Sequence, residues 1–462
     1  MNPRLSLALL AGRAVGAASR LSGRGGGTAL PGLAARRLYP GLIGEVAARL
    51  PDGIVLVSGT NGKTTTSRLL ASMLTSNNRR VLHNRSGSNL VRGIAASMVF
   101  STHITGRPRG DVGLFETDEA VLPGLLSEIS PSVVILNNLF RDQLDRYGEL
   151  DTVYRRWEGA VAGLPPETCL VLNGDDPALA RLGEEASCRV TYFGLHAPAL
   201  SLSELPHAAD ATACPRCKRP LVYSAIYVSH IGEYNCPKCG FTRPEPDLCA
   251  SNVVLHGTTG TELSLRGPYG ERLVRLNVPG LYNAYNALAA TAGAHALGVP
   301  WEAVARGYEG FTAAFGRFER IRAEGREIVL ALVKNPVGCN EVLRMLSSEP
   351  SSEPLLIIIN DKTADGRDVS WLWDADFEML GALGGEIVTS GLRAADMGVR
   401  LKYAGIPAER IHVVESIPAA LREAVDRTPR GGTLRVMPTY TAMLELRAHM
   451  GELGWVEPYW EE

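Results

Sequence analysis

The segment Ser58–Thr66, which reads SGTNGKTTT, constrains the fold more than any other part of the chain. It directly follows the apolar run Ile54–Val57, so the expected order is strand, glycine-rich loop and helix. Backbone N–H groups and the macrodipole at the start of such a helix form a site for anions. The pattern therefore predicts a loop that cradles the phosphates of a nucleotide.

Each residue type in this loop has an expected role. Gly59 and Gly62 would let the backbone approach phosphate oxygens, Lys63 would place a positive charge beside the terminal phosphates, and the next hydroxyl would reach Mg²⁺. The standard spacing has a glycine where this chain has Val57, so a helix start without a ligand is the competing interpretation. The residues predicted to bind the nucleotide are Thr60, Asn61, Gly62, Lys63, Thr64 and Thr65.

Length and charge indicate a multidomain protein with no general affinity for nucleic acid. The chain has 462 residues, enough for two to four domains, and a formal net charge of −2. No apolar run approaches the roughly 20 residues that span a bilayer. Together with a nucleotide site, these properties predict a cytoplasmic protein.

The N-terminal segment has the features of a short helix followed by a glycine-rich linker. Its apolar residues resemble a weak signal peptide, but Arg13 interrupts them early. We predict an amphipathic helix with Arg4, Arg13 and Arg20 on its polar side, lying on the inner face of the plasma membrane or packed against the protein. Residues 1–40, including the stretch Gly23–Gly27, form this first predicted segment.

Four of the eight cysteines form two Cys-x₂-Cys pairs with 18 residues between them, which is typical of a zinc ribbon. The predicted ligands are Cys214, Cys217, Cys236 and Cys239. Since all four are sulfur, no coordination position is left for a substrate, and the predicted Zn²⁺ is structural. Two disulfides are the alternative, but they would require an oxidising compartment, which the nucleotide site argues against.

Apolar runs alternate with helical patterns in two blocks, which predicts an α/β fold with doubly wound parallel sheets. The first block, residues 41–322, is the predicted central nucleotide-binding domain, and the ribbon at about 205–247 is inserted in it. The second block, residues 323–462, follows a break at Glu324-Gly325 and is predicted to be Rossmann-like. The expected strands are Ile54–Ser58, Val81–His83, Asp111–Phe115, Val133–Leu136 and Leu170–Leu172, then Ile328–Val333, Leu355–Asn360, Glu386–Thr389, Arg410–Val414 and Thr433–Pro438.

Polar residues follow several of these strands, where open α/β sheets bind ligands. Glu116 ends one strand and is positioned to reach a metal ion that bridges phosphates. Asn283 and Asn286, three residues apart, share one side of a predicted helix and could contact the adenine. Solvated loop caps and helix capping are the competing uses of such residues.

Six segments resemble the Mur ligase superfamily in sequence and order: GTNGKTTT, FETDEA, NNLFRDQLDRYGELD, LNGDDP, PGLYNAYNALAA and FGRFER. The resemblance covers about residues 41–445, and members of the superfamily form amide bonds through an acyl phosphate. Members that extend the cell-wall peptide carry a larger N-terminal domain and no cysteine ribbon. The stretch Ile357–Asp374, which includes ADGRDVSW, and the opening RLSGRGGGTALPG are instead similar to the ligase subunits of lipid II isoglutaminyl synthase.

This resemblance implies a reaction and its participants. The D-glutamate α-carboxylate of lipid II would be amidated to D-isoglutamine with ATP, Mg²⁺ and ammonia. A separate GatD-like glutamine amidotransferase would supply the ammonia, and the zinc would be structural. The implied partners are thus that subunit, lipid II and a membrane surface, with no nucleic acid.

The resemblance also implies roles for single residues. The phosphate loop and Glu116 would hold the triphosphate and Mg²⁺, with Thr64 as the second magnesium ligand. Either Asp365 or Asp368 would complete a Cys–His pair of the partner, and the sequence does not choose between them. Gln143 stands where many Mur ligases have a metal-associated histidine, so it receives no metal role. Further residues implied near the nucleotide are Asn283, Arg317, Lys334 and Asn335.

Three other functions compete with this one. A Mur-type ligase that adds an amino acid to a peptidoglycan precursor would use the same ATP-binding residues. A folate-type polyglutamate ligase would share the fold but not the ribbon or the ADGRDVSW stretch. A nucleic-acid-binding ATPase with a zinc ribbon would need a basic surface, which Glu233 and the acidic residues after the ribbon dilute.

Overall fold

The computed structural model describes residues 2–21, 29–84, 88–142, 150–311, 317–348 and 352–457. The predicted linker Gly23–Gly27 and Gln143 therefore lie outside the described residues. Arg317 begins a described strand, but its side chain is outside the description as well.

The first part of the chain is built on a large mixed sheet. Within the described residues its strand order is β11-β10-β9-β6-β5-β4-β1-β3-β2. Strands β1 to β6 and β9 pair in parallel, whereas β10 pairs antiparallel with both β9 and β11. The strands are Ile54–Ser58 (β1), Val81–His83 (β2), Val112–Glu116 (β3), Val133–Leu136 (β4), Cys169–Asn173 (β5), Arg189–His196 (β6), Leu248–Leu255 (β9), Thr261–Gly267 (β10) and Gly270–Leu276 (β11).

Helices cover both faces of this sheet, as the alternating pattern predicts for buried parallel strands. Strands β1, β3 and β5 have five residues each, and every one of these residues is buried. The helices of this part are Pro3–Leu21 (α1), Leu30–Leu38 (α2), Leu42–Ala47 (α3), Lys63–Ser76 (α4), Val91–Phe100 (α5), Leu122–Leu126 (α6), Leu150–Ala162 (α7), Pro177–Glu185 (α8), Leu281–Ala296 (α9) and Trp301–Glu309 (α10). The α/β prediction is confirmed, but β6 and the three-stranded extension β9 to β11 were not expected.

The second part contains its own sheet, with the order β12-β13-β17-β14-β15-β16 among the described residues. Only the β12–β13 pair is antiparallel. Its strands are Arg317–Ala323 (β12), Arg326–Ala331 (β13), Leu355–Ile358 (β14), Ile387–Ser390 (β15), Ile411–Val413 (β16) and Thr433–Pro438 (β17). Its helices are Pro336–Leu346 (α11), Ala394–Tyr403 (α12), Ile417–Arg427 (α13) and Tyr440–Glu452 (α14).

The predicted boundary between residues 322 and 323 falls inside a β-hairpin. Glu324 and Gly325 both have positive φ, +51° and +73°, and form the two-residue turn between β12 and β13. Such turns match the right-handed twist of an antiparallel pair. The apparent break in the sequence is therefore a tight turn within the second sheet, and β12 precedes the expected boundary.

The inserted segment between β6 and β9 contains an antiparallel hairpin of Val222–Val228 (β7) and Ile231–Asn235 (β8). Short bridges join Ala213 to Pro220 and Asn235 to Thr242, beside the two cysteine pairs. A small cluster of buried side chains, which includes Tyr234 and Phe241, packs around the cysteines. The hairpin side chains Ala225, Tyr227, Val228 and Ile231 belong to the main core of the first part, so only the region around the cysteines depends on their cluster for a core.

The prediction for the N-terminal helix is wrong in one respect. Helix α1 forms, but Arg13 points into the protein, where its Nε donates to the Val99 carbonyl at 3.2 Å. Arg4 and Arg20 are exposed, and Leu7 and Leu10 are exposed as well. The three arginines therefore do not share a polar face. Within the described residues, no helix is both long and apolar enough to cross a bilayer.

Candidate active site between the two sheets

The phosphate loop connects β1 to α4, and its backbone requires glycine at two positions. Gly59 and Gly62 have φ values of +133° and +86°, which side chains rarely adopt. A Cβ on Gly62 would lie 2.0 Å from Oδ1 of Asn286, and one on Gly59 would lie 3.0 Å from the backbone of Asn138. The loop thus keeps its shape only with glycines at both positions.

The ammonium group of Lys63 is buried beneath this loop. It donates to the Gly59 and Thr60 carbonyls and forms an ion pair with Glu119, whose Oε1 lies 3.0 Å from Nζ. Burial raises the pKa of Glu119 above its ordinary value, and the charge of Lys63 opposes that rise. Phosphate oxygens at the loop would compete with Glu119 for the same ammonium group.

Thr64 and Glu116 meet at the start of α4. The Thr64 hydroxyl donates to Oε2 of Glu116 at 2.7 Å, and Glu116 ends β3 with only 4% of its surface exposed. Asn84, which the sequence analysis did not identify, fixes this position by bonding both the N–H and the carbonyl of Glu116. A hydroxyl and a carboxylate are oxygen ligands of the kind that Mg²⁺ prefers.

Asn283 and Asn286 lie together at the start of α9, as their spacing predicts. The Asn283 amide donates to the Pro279 carbonyl at 2.7 Å, and its Oδ1 accepts from Asn286 at 3.0 Å. Asn286 in turn accepts from Thr66 of α4 at 3.4 Å. Both amides therefore brace the helix starts around the loop, and a contact of Asn283 with nucleotide stays a prediction.

Polar residues that follow β13 of the second sheet face the phosphate loop. Asn335 caps α11 by accepting from Gly338 N at 2.9 Å, and its side chain also bonds that of Asn61 in the loop. Lys334 pairs with Asp142, which follows β4 of the first sheet, at 2.6 Å. The carboxyl ends of the two sheets thus face each other, which is where ligands of α/β proteins bind.

A cleft opens beside this contact and contains both aspartates of the ADGRD stretch. Its lining comes from the loop after β4, the start of α11 and the loop after β14. The lining residues are Arg141, Asp142, Lys334, Asn335, Pro336, Asp365, Asp368, Ser370, Trp371 and Asp374. Cationic and anionic groups both reach the cleft, so it suits a substrate with phosphate and carboxylate groups.

Asp365 and Asp368 have different surroundings within the cleft. Asp365 is 6% exposed and accepts from the backbone N–H of Thr441 at 2.7 Å and from its hydroxyl; burial raises its pKa, although these donors oppose the rise. Asp368 is exposed and accepts from Ser370 N at 2.8 Å; hydrogen bonds from the Ser370 side chain and backbone lower the pKa of Asp368. Asp365 therefore connects the loop after β14 to the start of α14, while Asp368 presents an ionised carboxylate to the surface.

The four ribbon cysteines have the geometry of a tetrahedral metal site. Their sulfur atoms lie within 4.8 Å of one another, and the Cys214–Cys239 and Cys217–Cys236 pairs are both at 3.5 Å. Zinc bonds of 2.3 Å would separate the sulfur atoms by about 3.8 Å. The cluster is therefore compatible with a metal ion, and no disulfide joins its members.

Two of the thiols differ in the direction of their pKa shift. Burial would raise the pKa of the Cys236 thiol, but backbone N–H groups of Cys239 and Lys238 lower it to about 6. Burial raises the pKa of Cys214 to about 12. Four thiolates in so small a volume need a cation, because each negative charge opposes ionisation of the next.

The ribbon also contacts both sheets, which the sequence analysis did not foresee. Arg243, at its end, pairs with the fully buried Asp175 of the LNGDDP segment, and Tyr285 donates to the same carboxylate at 2.7 Å. Arg344 of α11 donates to the Tyr227 carbonyl in the ribbon at 2.8 Å. No local pattern marks these residues, since each acts through a partner at least 68 residues away.

Comparison with known proteins agrees with this architecture. The family described as Mur ligase middle domain matches residues 57–237, and the family described as MurT ligase C-terminal matches residues 332–443. Among solved structures, a pseudomurein peptide ligase type C from Methanothermus fervidus has a TM-score of 0.67 at 21% identity, covering 87% of this chain and 78% of that one. The MurF ligase of Thermotoga maritima, solved in complex with ADP, has a TM-score of 0.63 at 14% identity, covering 91% and 84%. The fold is that of a Mur ligase.

A curated relative covers nearly the whole chain. The MurT subunit of the glutamine-hydrolysing lipid II isoglutaminyl synthase of Streptococcus pneumoniae is 34% identical over 449 residues, which is 97% of each chain. The same subunit from Staphylococcus aureus (strain COL) is also 34% identical, over 92% of this chain and 93% of its own. The chain belongs to the MurT family of Mur ligases, and the resemblance seen in the sequence is confirmed.

Proposed function

We propose that the protein amidates the D-glutamate α-carboxylate of lipid II to D-isoglutamine at the expense of ATP. One observation supports this proposal above all: the carboxyl ends of the two sheets face each other. The phosphate loop lies at the end of the first sheet, and Lys334, Asn335 and the ADGRD stretch lie at the end of the second. The phosphate loop suits a nucleotide, and the MurT relatives are named for this reaction.

The chemistry requires activation of the acid. A carboxylate resists attack by ammonia because it has no usable leaving group, and transfer of a phosphoryl group to one of its oxygens supplies one. Lys63 and Arg317 are proposed to stabilise charge on the transferring phosphoryl group, with Thr64 and Glu116 holding Mg²⁺. The bound Mg²⁺ would neutralise charge on the phosphates. Ammonia would then form the amide bond and release phosphate.

The remaining nucleotide contacts are assigned by proximity to the phosphate loop. Thr60, Asn61, Gly62 and Thr65 belong to that loop or to the first turn of α4. Lys334 and Asn335 approach it from the second sheet, and Asn283 lies one hydrogen bond from Asn286 beside Gly62. We propose that these residues hold the nucleotide while the two sheets exclude water from the reacting groups.

A glutamine amidotransferase of the GatD type is the proposed source of ammonia. Free ammonia is mostly protonated at neutral pH, so a partner that releases it locally raises its useful concentration. Asp368 is the better candidate to complete the partner's Cys–His pair, because it is exposed and ionised while Asp365 is occupied by Thr441. Trp373 and Tyr403, 54% and 73% exposed with ring centroids 5.7 Å apart, offer a docking surface, and Trp373 follows Asp368 closely in the chain.

We also propose that the ribbon holds a structural Zn²⁺. The protein is further proposed to act at the inner face of the plasma membrane. The cysteine geometry suits zinc, and lipid II is a membrane-bound substrate. The site has the same ATP-binding residues that an amino-acid-adding ligase would use, so the nitrogen donor decides between the two functions.

The test is a reaction with purified protein, lipid II and ATP in three parallel mixtures. These contain ammonium at alkaline pH, glutamine with a GatD-type amidotransferase, or a mixture of free amino acids. Mass spectrometry of the muropeptide is expected to show the amide, 1 Da lighter than the acid, in the first two mixtures. Addition of an amino acid residue in the third mixture, without amide in the others, would overturn the proposal.

A further inference from the structure

The outer side of α1 is a continuous apolar stripe. Pro3, Leu7, Leu10, Ala14, Ala17 and Leu21 are all exposed and recur every three or four residues. This spacing puts them on one side of the helix. Leu7 and Leu10 are 59% and 50% exposed, although leucine side chains are usually buried.

The opposite side of α1 packs against the rest of the protein. The chain at Gly12 comes so close to α2 that an added Cβ would lie 2.9 Å from the Pro31 carbonyl. The ring of Phe100, at the end of α5, packs against Gly16. We define the N-terminal face as the exposed apolar side of α1, which is formed by Pro3, Leu7, Leu10, Ala14, Ala17 and Leu21.

The charge of this region is opposite to that of the rest of the chain. Residues 1–44 include six arginines and no acidic residue, since the first carboxylate in the sequence is Glu45. The remaining residues carry a net charge of −8 by difference from the total of −2. The exposed Arg4 and Arg20 lie on either side of the stripe along α1, and Arg37 is exposed on the neighbouring helix α2.

We infer that the N-terminal face docks the protein on the surface of a membrane that contains anionic lipids. Leucine side chains would enter the boundary between headgroups and acyl chains, and the arginines would remain among the phosphates. An apolar face with exposed arginines beside it suits an anionic lipid surface. A second copy of the chain suits it less well, because the arginines of two such faces would repel each other. The exposed side of α1 is therefore apolar, whereas the sequence predicted a polar side formed by arginines.

The purpose of this docking rests on the proposed function, because the lipid-linked substrate would lie in that membrane. Docking would hold the cleft near the substrate and leave the chemistry unchanged. The two claims therefore separate experimentally. Vesicle binding needs neither ATP nor lipid II, and amidation of a water-soluble, short-chain lipid II analogue needs no vesicle.

The experiment measures sedimentation of the full chain with vesicles of phosphatidylcholine, with and without phosphatidylglycerol. The variant L7E/L10E places two carboxylates on the stripe, and the control L273E/V254E changes two residues of β11 and β9 that are also exposed. The wild type and control are expected to bind the anionic vesicles, and L7E/L10E at least about tenfold more weakly. A variant with Arg4, Arg20 and Arg37 changed to Glu should lose the preference for phosphatidylglycerol.

Two further measurements complete the test. Thermal melting checks that L7E/L10E is folded, and amidation of the short-chain analogue should proceed at the wild-type rate while amidation of lipid II in vesicles falls. Equal vesicle binding by the wild type and L7E/L10E, or no binding by the wild type, would overturn the inference. A concentration-dependent dimer that L7E/L10E abolishes, without vesicle binding, would instead identify the face as a contact between two copies.

Discussion

Asn61 and Asn335 join the phosphate loop to the second sheet by two hydrogen bonds between their side chains. The Asn61 amide donates to Oδ1 of Asn335 at 3.3 Å, and the Asn335 amide donates to Oδ1 of Asn61 at 3.0 Å. The residues are 274 positions apart in the chain. Because Asn61 lies in the loop that would hold the phosphates, this contact would couple nucleotide binding to the position of the second sheet.

The first prediction concerns this pair. N335S should keep the cap of α11, because serine caps helices as well as asparagine does, and should lose the bonds to Asn61. Loss of about 1 kcal/mol of interaction predicts roughly a fivefold higher KM for ATP with little change in melting temperature. N335A should show the same KM and also lose about 1 kcal/mol of stability. An unchanged KM in both variants would contradict the coupling.

The second prediction concerns Lys63 and Glu119. K63A should lower turnover by at least about 100-fold and should also destabilise the protein, because it leaves Glu119 buried without its cation. The double variant K63A/E119Q should recover stability but not activity. Full activity of the double variant would contradict a role of Lys63 at the phosphates.

The same variants predict a pH dependence of stability. Burial raises the pKa of Glu119 in the folded state, so folding favours its protonated form. The contribution of Glu119 to the stability of K63A should therefore be fully present below the ordinary pKa of a glutamate and be lost as the pH rises through the folded-state value. Denaturant unfolding at a series of pH values measures this, and K63A/E119Q should lack this component. Identical pH profiles of the two variants would show that Glu119 is not the titrating group.

The third prediction separates the two aspartates. D368N should abolish glutamine-dependent amidation in the presence of the partner and retain amidation driven by ammonium, because Asp368 would act on the partner's catalytic pair. D365N should lose about 1 to 2 kcal/mol of stability, since its carboxylate holds Thr441 and the loop after β14. The assignment is wrong if D368N loses both activities equally.

The fourth prediction concerns the ribbon. C239S should lose bound zinc, measured by elemental analysis, and should destabilise the protein. R344A should retain zinc, because it removes contacts of α11 with the Tyr227 and Leu200 carbonyls and leaves the four cysteines unchanged. If the ribbon positions the second sheet, R344A should lower kcat severalfold with normal zinc content. Unchanged kinetics of R344A would limit the ribbon to a local role in folding.

Local patterns in the sequence were sufficient to predict most of the fold. The phosphate loop needs glycines at fixed positions, the cysteine ribbon needs fixed spacing, and buried parallel strands read as apolar runs, so each leaves a signature in a few adjacent residues. The exact ends of strands differed by one to two residues, as in the prediction of Leu355–Asn360 for the strand Leu355–Ile358.

Features that depend on distant partners could not be predicted. The periodicity of α1 does not reveal that the Val99 carbonyl accepts from Arg13, so the orientation of the helix was predicted wrongly. Glu324 and Gly325 looked like an interdomain break because turns and linkers share residue types. Asn84 and Arg344 had no signal, since an isolated asparagine or arginine acquires its role only through the fold.

The central claim is that the chain activates a carboxylate by phosphorylation, and isotope transfer tests it directly. Lipid II labelled with ¹⁸O in both oxygens of the D-glutamate α-carboxylate would be amidated with ATP and ammonium, and the released phosphate analysed by mass spectrometry. The account predicts one ¹⁸O atom in the phosphate for each amide formed. Amide formation with unlabelled phosphate, or with AMP as the product of ATP, would contradict it.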